Sequence, residues 1–182
     1  MDGAEDGPWV FGYGSLMWRP GFDFIDRRPA RLHGRRRAFC IYSVHHRGTP
    51  ARKGLVLGLA PGGATRGLAY KVAPDAWPAT YAYLLEREQP TETYYEAWTP
   101  VRLEGGETFK ALVFLSRTDH PQWAGVLDLE AQARLIAGAS GLSGRNIDYL
   151  RDLVVHLREA GVADRSMEAL LARVEALEAQ AA

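Results

Sequence analysis

Glycine and proline split this chain into two kinds of sequence, and that division limits its fold more than any other feature. Through about residue 115, short apolar and aromatic runs alternate with Gly-rich stops. Trp9-Val10-Phe11 reads as a strand stopped by Gly12 and Gly14, and Ala38 to Val44 as a second. Gly54 to Leu59 and Thr65 to Val72 read as two more, joined by a hairpin turn at Pro61-Gly62-Gly63. Trp98 to Leu103 and Thr108 to Leu115 form another pair, turned at Glu104-Gly105-Gly106-Glu107. One helix interrupts the strands, from an N-cap at Asp75 to about Glu88, where Pro90 blocks continuation. The last third is helical: Asp128 to about Ala137, Asn146 to Ala160, and Ser166 to Ala179 with the stripe Leu170, Leu171, Val174 and Leu177. Hairpin-length connectors favour antiparallel pairing. The expected fold is α+β, a mostly antiparallel curled sheet or small barrel with helices packed beside it.

The chain has 182 residues, which sets the expectation of a single domain over 1–182, with residues 1–8 as a flexible tail. It is 47% hydrophobic, enough for a core and against disorder. Basic and acidic residues balance at 22 each, which argues against a protein that coats nucleic acid or an anionic membrane. Cys40 is the sole cysteine, so an internal disulfide and a cysteine-rich zinc site are excluded, and a reducing cytoplasm is the expected location. No apolar run approaches the ~18 residues of a membrane helix.

Chemistry concentrates in two places. Phe11-Gly12-Tyr13-Gly14-Ser15-Leu16 alternates two glycines at a strand end. Such a turn either aims consecutive N–H groups at one anion or is simply a tight turn around a buried Tyr. It lacks the third glycine and the following helix of a dinucleotide fingerprint, and the Gly-Lys-Ser/Thr of a P-loop. The second place is the helix end Tyr83 to Glu88. At about 100° per residue, Glu88 lies about 40° from Leu84 and about 20° from Tyr81, on the apolar face. Glu86 lies about 140° from Tyr81 and points away. A carboxylate on an apolar face is costly, and burial raises its pKa into the range of a general base. The alternatives are that Glu88, at the last turn, reaches water, or that Arg87 pairs with it.

These segments, in this order, resemble the γ-glutamylcyclotransferase superfamily, and more closely its ChaC branch of glutathione-specific enzymes. Val10 to Trp18 with Pro20-Gly21-Phe22 is similar to that family's opening. His46-Arg47-Gly48-Thr49-Pro50 resembles its Asp-His-Arg-Gly-Thr-Pro block, with Val44 and His45 in place of Thr-Asp. Gly67-Leu68-Ala69-Tyr70 resembles its Gly-Val-Ala-Tyr strand, and Tyr83 to Glu88 its Tyr-Leu-x-x-Arg-Glu helix end. Ser140 to Asn146 with Tyr149-Leu150 resembles its C-terminal signature. Each block alone is weak; together, in order, they are specific.

The resemblance implies a γ-glutamylcyclotransferase-like fold and a reaction needing neither cofactor nor metal. The free α-amine of a γ-glutamyl group attacks its own γ-carbonyl, releasing 5-oxoproline and, from glutathione, cysteinylglycine. Glu88 falls on the family's catalytic Glu, and the Gly12-Tyr13-Gly14-Ser15-Leu16 turn where the family holds the γ-glutamyl head. Tyr94 falls where several bacterial members carry a Tyr, with Tyr95 as the register-shifted alternative. Many eukaryotic members follow the catalytic Glu with Lys-Gly-Gly-Tyr; Gln89-Pro90-Thr91-Glu92-Thr93-Tyr94 stands here. The expected partner is the small molecule glutathione, with no nucleic acid and no membrane.

Other features read as structural. Arg27, Arg28, Arg31, Arg35, Arg36 and Arg37 form a basic stretch expected on a solvated sheet edge. One of Arg35 to Arg37, or Arg47, is a candidate for the glycine carboxylate of glutathione. His45 and His46 point to opposite faces of a strand, which argues against a metal. Cys40, between Phe39 and Ile41, reads as a buried inert thiol. Asn146 or Ser143 is expected to cap the helix that follows.

Overall fold

The structure is a computed structural model that describes residues 7–89 and 92–181. Its elements are β1 (Trp9–Gly12), β2 (Asp26–Ser43), β3 (Gly54–Lys71), α1 (Trp77–Glu88), β4 (Tyr94–Leu103), β5 (Thr108–Ser116), α2 (Leu129–Ile136), β6 (Ser140–Gly141), β7 (Gly144–Arg145), α3 (Asn146–Glu159) and α4 (Arg165–Ala181). A single 3-10 turn, Ser15–Met17, follows β1. The chain forms two compact units: residues up to Arg36 with Pro61–Arg117, and Arg37–Ala60 with the residues from Thr118 onward.

The first unit holds a closed barrel in the order β1-β3-β2-β4-β5. β1 pairs antiparallel with β3, Val10 opposite Tyr70, and parallel with β5, Val10 opposite Leu112. The hairpin β4–β5 runs from Tyr94↔Ser116 to Arg102↔Thr108, four residues longer at its start than the sequence pattern indicates. α1 lays Leu84 against Val10, Leu16, Val72, Leu112 and Phe114. Leu84 is fully buried, which contributes roughly 1.5–3 kcal/mol. Asp75 does not cap α1: Ala76 is the N-cap residue, and the Asp75 carboxylate accepts from the Ala76 N–H at 3.0 Å. Of the segment read as a tail, Pro8 offers its carbonyl to the Val72 N–H at 2.9 Å; residues 1–6 lie outside the described residues.

The hairpin expected at Pro61-Gly62-Gly63 does not form. β3 runs unbroken through it, and its neighbours are β1 and β2. Gly62 and Gly63 have φ of 89° and 71°, which bends the strand without reversing it. Arg36 donates to the Pro61 carbonyl at 2.6 Å and Thr65 to the Arg35 carbonyl at 2.9 Å, so β2 keeps running alongside.

In the second unit, Phe39, Cys40 and Ile41 of β2 are buried. Residues 122–124 lie along them through Tyr42 N–H to Gln122 O at 2.7 Å and Ala124 N–H to Cys40 O at 2.8 Å. α2, α3 and α4 pack through Ile136, Leu150, Leu153, Leu157, Leu170 and Val174. Asp128 caps α2, accepting from the Ala131 N–H at 2.7 Å. Neither Asn146 nor Ser143 caps α3, whose N-cap residue is Arg145. Asn146, fully buried, instead clamps Leu55 of β3, accepting its N–H at 2.7 Å and donating to its carbonyl at 2.8 Å. No helix among the described residues is long and apolar enough to cross a membrane.

Candidate active site

The β1 exit and the end of α1 meet through one guanidinium. Arg87 donates to the Ser15 hydroxyl at 2.8 Å, to the Pro20 carbonyl at 3.1 Å and to the Arg19 carbonyl. The same group donates to the Tyr83 hydroxyl at 2.8 Å, and its Nε lies 3.3 Å from Oε1 of Glu88. Arg87 thus ties the catalytic candidate to the turn after β1. The sequence motif contains Arg87, but the partners at residues 15–20 are brought to it only by folding.

Glu88 lies on the inward face of α1, as its angle to Leu84 indicates, with its side chain one-fifth exposed. Burial raises its pKa above the ordinary 4.5, and the Arg87 charge pulls part of the way back. Among the described residues no hydrogen bond is donated to its carboxylate beyond the Arg87 contact. It is a carboxylate that holds a proton more readily than a solvated one, at a partly open position.

The turn at Gly12 to Leu16 differs from a glycine-built nest. Neither Gly12 nor Gly14 has positive φ. Gly12 sits in close quarters: a Cβ there would lie 3.0 Å from Leu16 Cβ and 3.4 Å from Met17 N, so Leu16 would have to give by a few tenths of an ångström. The N–H groups of Met17 and Arg19 turn inward, to Gly14 O at 2.9 Å and Ser15 O at 2.8 Å. Among the described residues the N–H groups of Ser15 and Leu16 donate no hydrogen bond. They are the orphan donors of a 3-10 start. Tyr13 is committed to the fold, its buried hydroxyl donating to the Phe114 carbonyl at 2.9 Å. Tyr70 likewise donates to the Met17 carbonyl at 2.8 Å, and burial pushes its pKa up to about 12.

Tyr94 packs, half-buried, on the cluster that contains Leu16 and Leu84, so it shares a side of the sheet with α1. Tyr95 points to the other face, by strand alternation, with the Arg117 guanidinium over its ring at 5.5 Å. The segment between Glu88 and Tyr94 includes Pro90 and Thr91, which lie outside the described residues.

The arginines proposed for a substrate carboxylate are mostly occupied. Arg36 holds Pro61, and Arg37 is buried in an ion pair with Asp164. Arg47 donates to the Arg145 carbonyl at 3.2 Å and lies over Tyr149. His46 hydrogen-bonds Ser143 at 3.0 Å through Nδ1, and the Leu142 and Ser143 N–H groups donate to the carbonyls of His45 and His46. The His46 block and the Ser140–Asn146 block are therefore docked on each other in the second unit. Cys40 is buried.

A family model described as ChaC-like protein matches residues 8–177. An Escherichia coli K12 protein named glutathione-specific gamma-glutamylcyclotransferase is 37% identical over 177 residues, covering 97% of this chain and 77% of that one. A human protein named glutathione-specific gamma-glutamylcyclotransferase 1 is 32% identical, over 88% of this chain and 74% of its own. The crystal structure of a γ-glutamyl cyclotransferase specific to glutathione from yeast superposes with a TM-score of 0.82. It is 27% identical and covers 94% of this chain and 99% of that one.

Proposed function

The chain belongs to the ChaC-like family, and we propose that it is a glutathione-specific γ-glutamylcyclotransferase with Glu88 as its general acid and base. The observation that carries the role of Glu88 is a largely enclosed carboxylate, raised in pKa by burial, tied through Arg87 to the turn after β1.

The nucleophile is tethered to its target, so orientation in a bent conformer removes much of the entropic barrier. Glu88 takes a proton from the α-amine as its nitrogen bonds the γ-carbon. It returns the proton to the cysteinyl nitrogen as the γ-amide bond breaks, giving 5-oxoproline and cysteinylglycine. The raised pKa suits both halves of that exchange. The Ser15 and Leu16 N–H groups are available to the γ-glutamyl carboxylate or to the oxyanion of the tetrahedral intermediate. Tyr94 lines the same side. A single buried cysteine is consistent with work in a reducing cytoplasm.

The test is turnover of glutathione by the purified protein, with γ-glutamyl-alanine alongside. Release of 5-oxoproline and cysteinylglycine from glutathione, with little from γ-glutamyl-alanine, is expected. Turnover of γ-glutamyl-alanine alone would replace the glutathione reading with a different leaving group, and turnover of neither would overturn the activity.

A further inference from the structure

A cavity of about 250 Å³ opens on the barrel, ringed by Arg31, His33, Arg66 and Arg102 over Ala30 and Leu103. Its guanidinium groups come from three neighbouring strands: Arg66 from β3, Arg31 from β2 and Arg102 from β4. It is remote from the candidate active site. Tyr94 and Arg102 stand at opposite ends of β4, on the order of 25 Å apart at the rise of an extended strand.

The charge arrangement there is unfavourable as it stands. β2 meets β4 at Ala30↔Leu103 and Arg31↔Arg102, so two like charges sit directly opposite each other where the barrel joins these strands. Like charges in register destabilise a sheet. The carboxylate at the cavity, Glu104, is taken by Arg66. Among the described residues neither Arg31 nor Arg102 makes an ion pair or a side-chain hydrogen bond. β2 lies between β3 and β4 and is not the sheet edge expected for the basic stretch, and a solvated barrel face gains nothing from placing two arginines opposite each other. Two guanidinium forks side by side can each grip one phosphoryl group bidentately, which a lysine pair would not do.

We infer that this cavity binds a compact diphosphate-type oxyanion, which spans Arg31 and Arg102 and joins β2 to β4. Bound there, the anion converts the repulsion across the strand pair into a bridge, with Arg66 completing the cationic ring.

The experiment is thermal unfolding with inorganic pyrophosphate, against sodium chloride at matched ionic strength. At a tenfold excess over Kd, Tm should rise by roughly 3–6 °C beyond the salt control. Arg31→Met and Arg102→Met should each abolish the rise, with Tm in the absence of anion equal to or above that of the unsubstituted protein. Glu88→Gln should keep the rise in full, locating the anion away from the active site. Calorimetric titration of both arginine variants at 25 °C gives the same answer independently of their melting. No rise beyond the salt control, an undiminished rise in both arginine variants, or its loss in Glu88→Gln would each overturn the proposal.

Discussion

Glu88 and Asp164 are partly buried carboxylates, one in each unit, each beside an arginine, yet their acidities move in opposite directions. Glu88 is one-fifth exposed and Asp164 slightly less, at 15%. Burial raises Glu88, and one nearby guanidinium only partly offsets that. Burial also pushes Asp164 upward. There, however, the Ser166 hydroxyl, the Arg37 guanidinium and the Met167 N–H together hold it below its ordinary value. Ser166 donates to it at 2.6 Å and the Met167 N–H at 3.2 Å. Desolvation is common to both sites; the supply of donors decides the sign. A carboxylate with its lone pairs filled is a structural part, and one left short of donors can exchange a proton with a substrate. The same contrast separates the motif blocks. Those of the second unit, around His46 and Asn146, spend their polar groups on one another. Those of the first leave a carboxylate and two backbone N–H groups open.

The contrast is most sharply tested where its effects are largest. Glu88→Gln removes the proposed base and keeps the shape, so turnover of glutathione should fall by about 10²–10⁴-fold. Its Tm at neutral pH should match or exceed that of the unsubstituted protein. The sign follows from linkage: a carboxyl raised by folding contributes stability below its unfolded value, and that contribution is lost as pH rises through its folded value. Turnover kept within tenfold would contradict the assignment.

Asp164→Ala should do the reverse. It takes the Asp164 carboxylate from the Arg37 guanidinium, whose side chain is only 2% exposed, and should cost about 3–5 kcal/mol in urea unfolding. The folded protein should still turn over glutathione. Asp164 stabilises above its unfolded value and loses that contribution as pH falls through its folded one. The stability gap between the two proteins should therefore narrow in acid, and a gap independent of pH would break the comparison.

Arg87→Met removes the charge that lowers Glu88 and the bonds that hold Ser15. The acid limb of kcat/KM should move to higher pH, and kcat/KM at neutral pH should fall by about tenfold, with partial recovery in Arg87→Lys. An unmoved acid limb would show that Arg87 acts only on the turn. Smallest is Tyr94→Phe, expected to raise KM by about twofold to tenfold, while Tyr95→Phe leaves it unchanged. Equal effects at the two positions would remove the facing argument drawn from β4.

What could be read before folding was what depends on local geometry. The 100° turn of a helix places Glu88 on an apolar face with no knowledge of the barrel, and Asp128 is a cap by the same local logic. What could not be read depends on which strand arrives alongside. Pro61-Gly62-Gly63 has the chemistry of a turn and of a bulge, and only the passage of Arg36 beside it decides for the bulge. Asn146 has the side chain of a cap, but its partner Leu55 lies 91 residues away. The bonds of Arg87 to residues 15–20 are of the same non-local kind. The glycines of the first turn have the pattern of backbone freedom, whereas neither Gly12 nor Gly14 has positive φ and Gly12 lies close against Leu16 and Met17.

The most direct measurement is a carboxyl-carbon NMR titration of both side chains in one sample. The expected result is a Glu88 midpoint above the ordinary 4.5 and an Asp164 midpoint below the ordinary 3.8. A Glu88 midpoint at or below 4.5 would mean that its carboxylate is as well served as that of Asp164, and would contradict its role as the base.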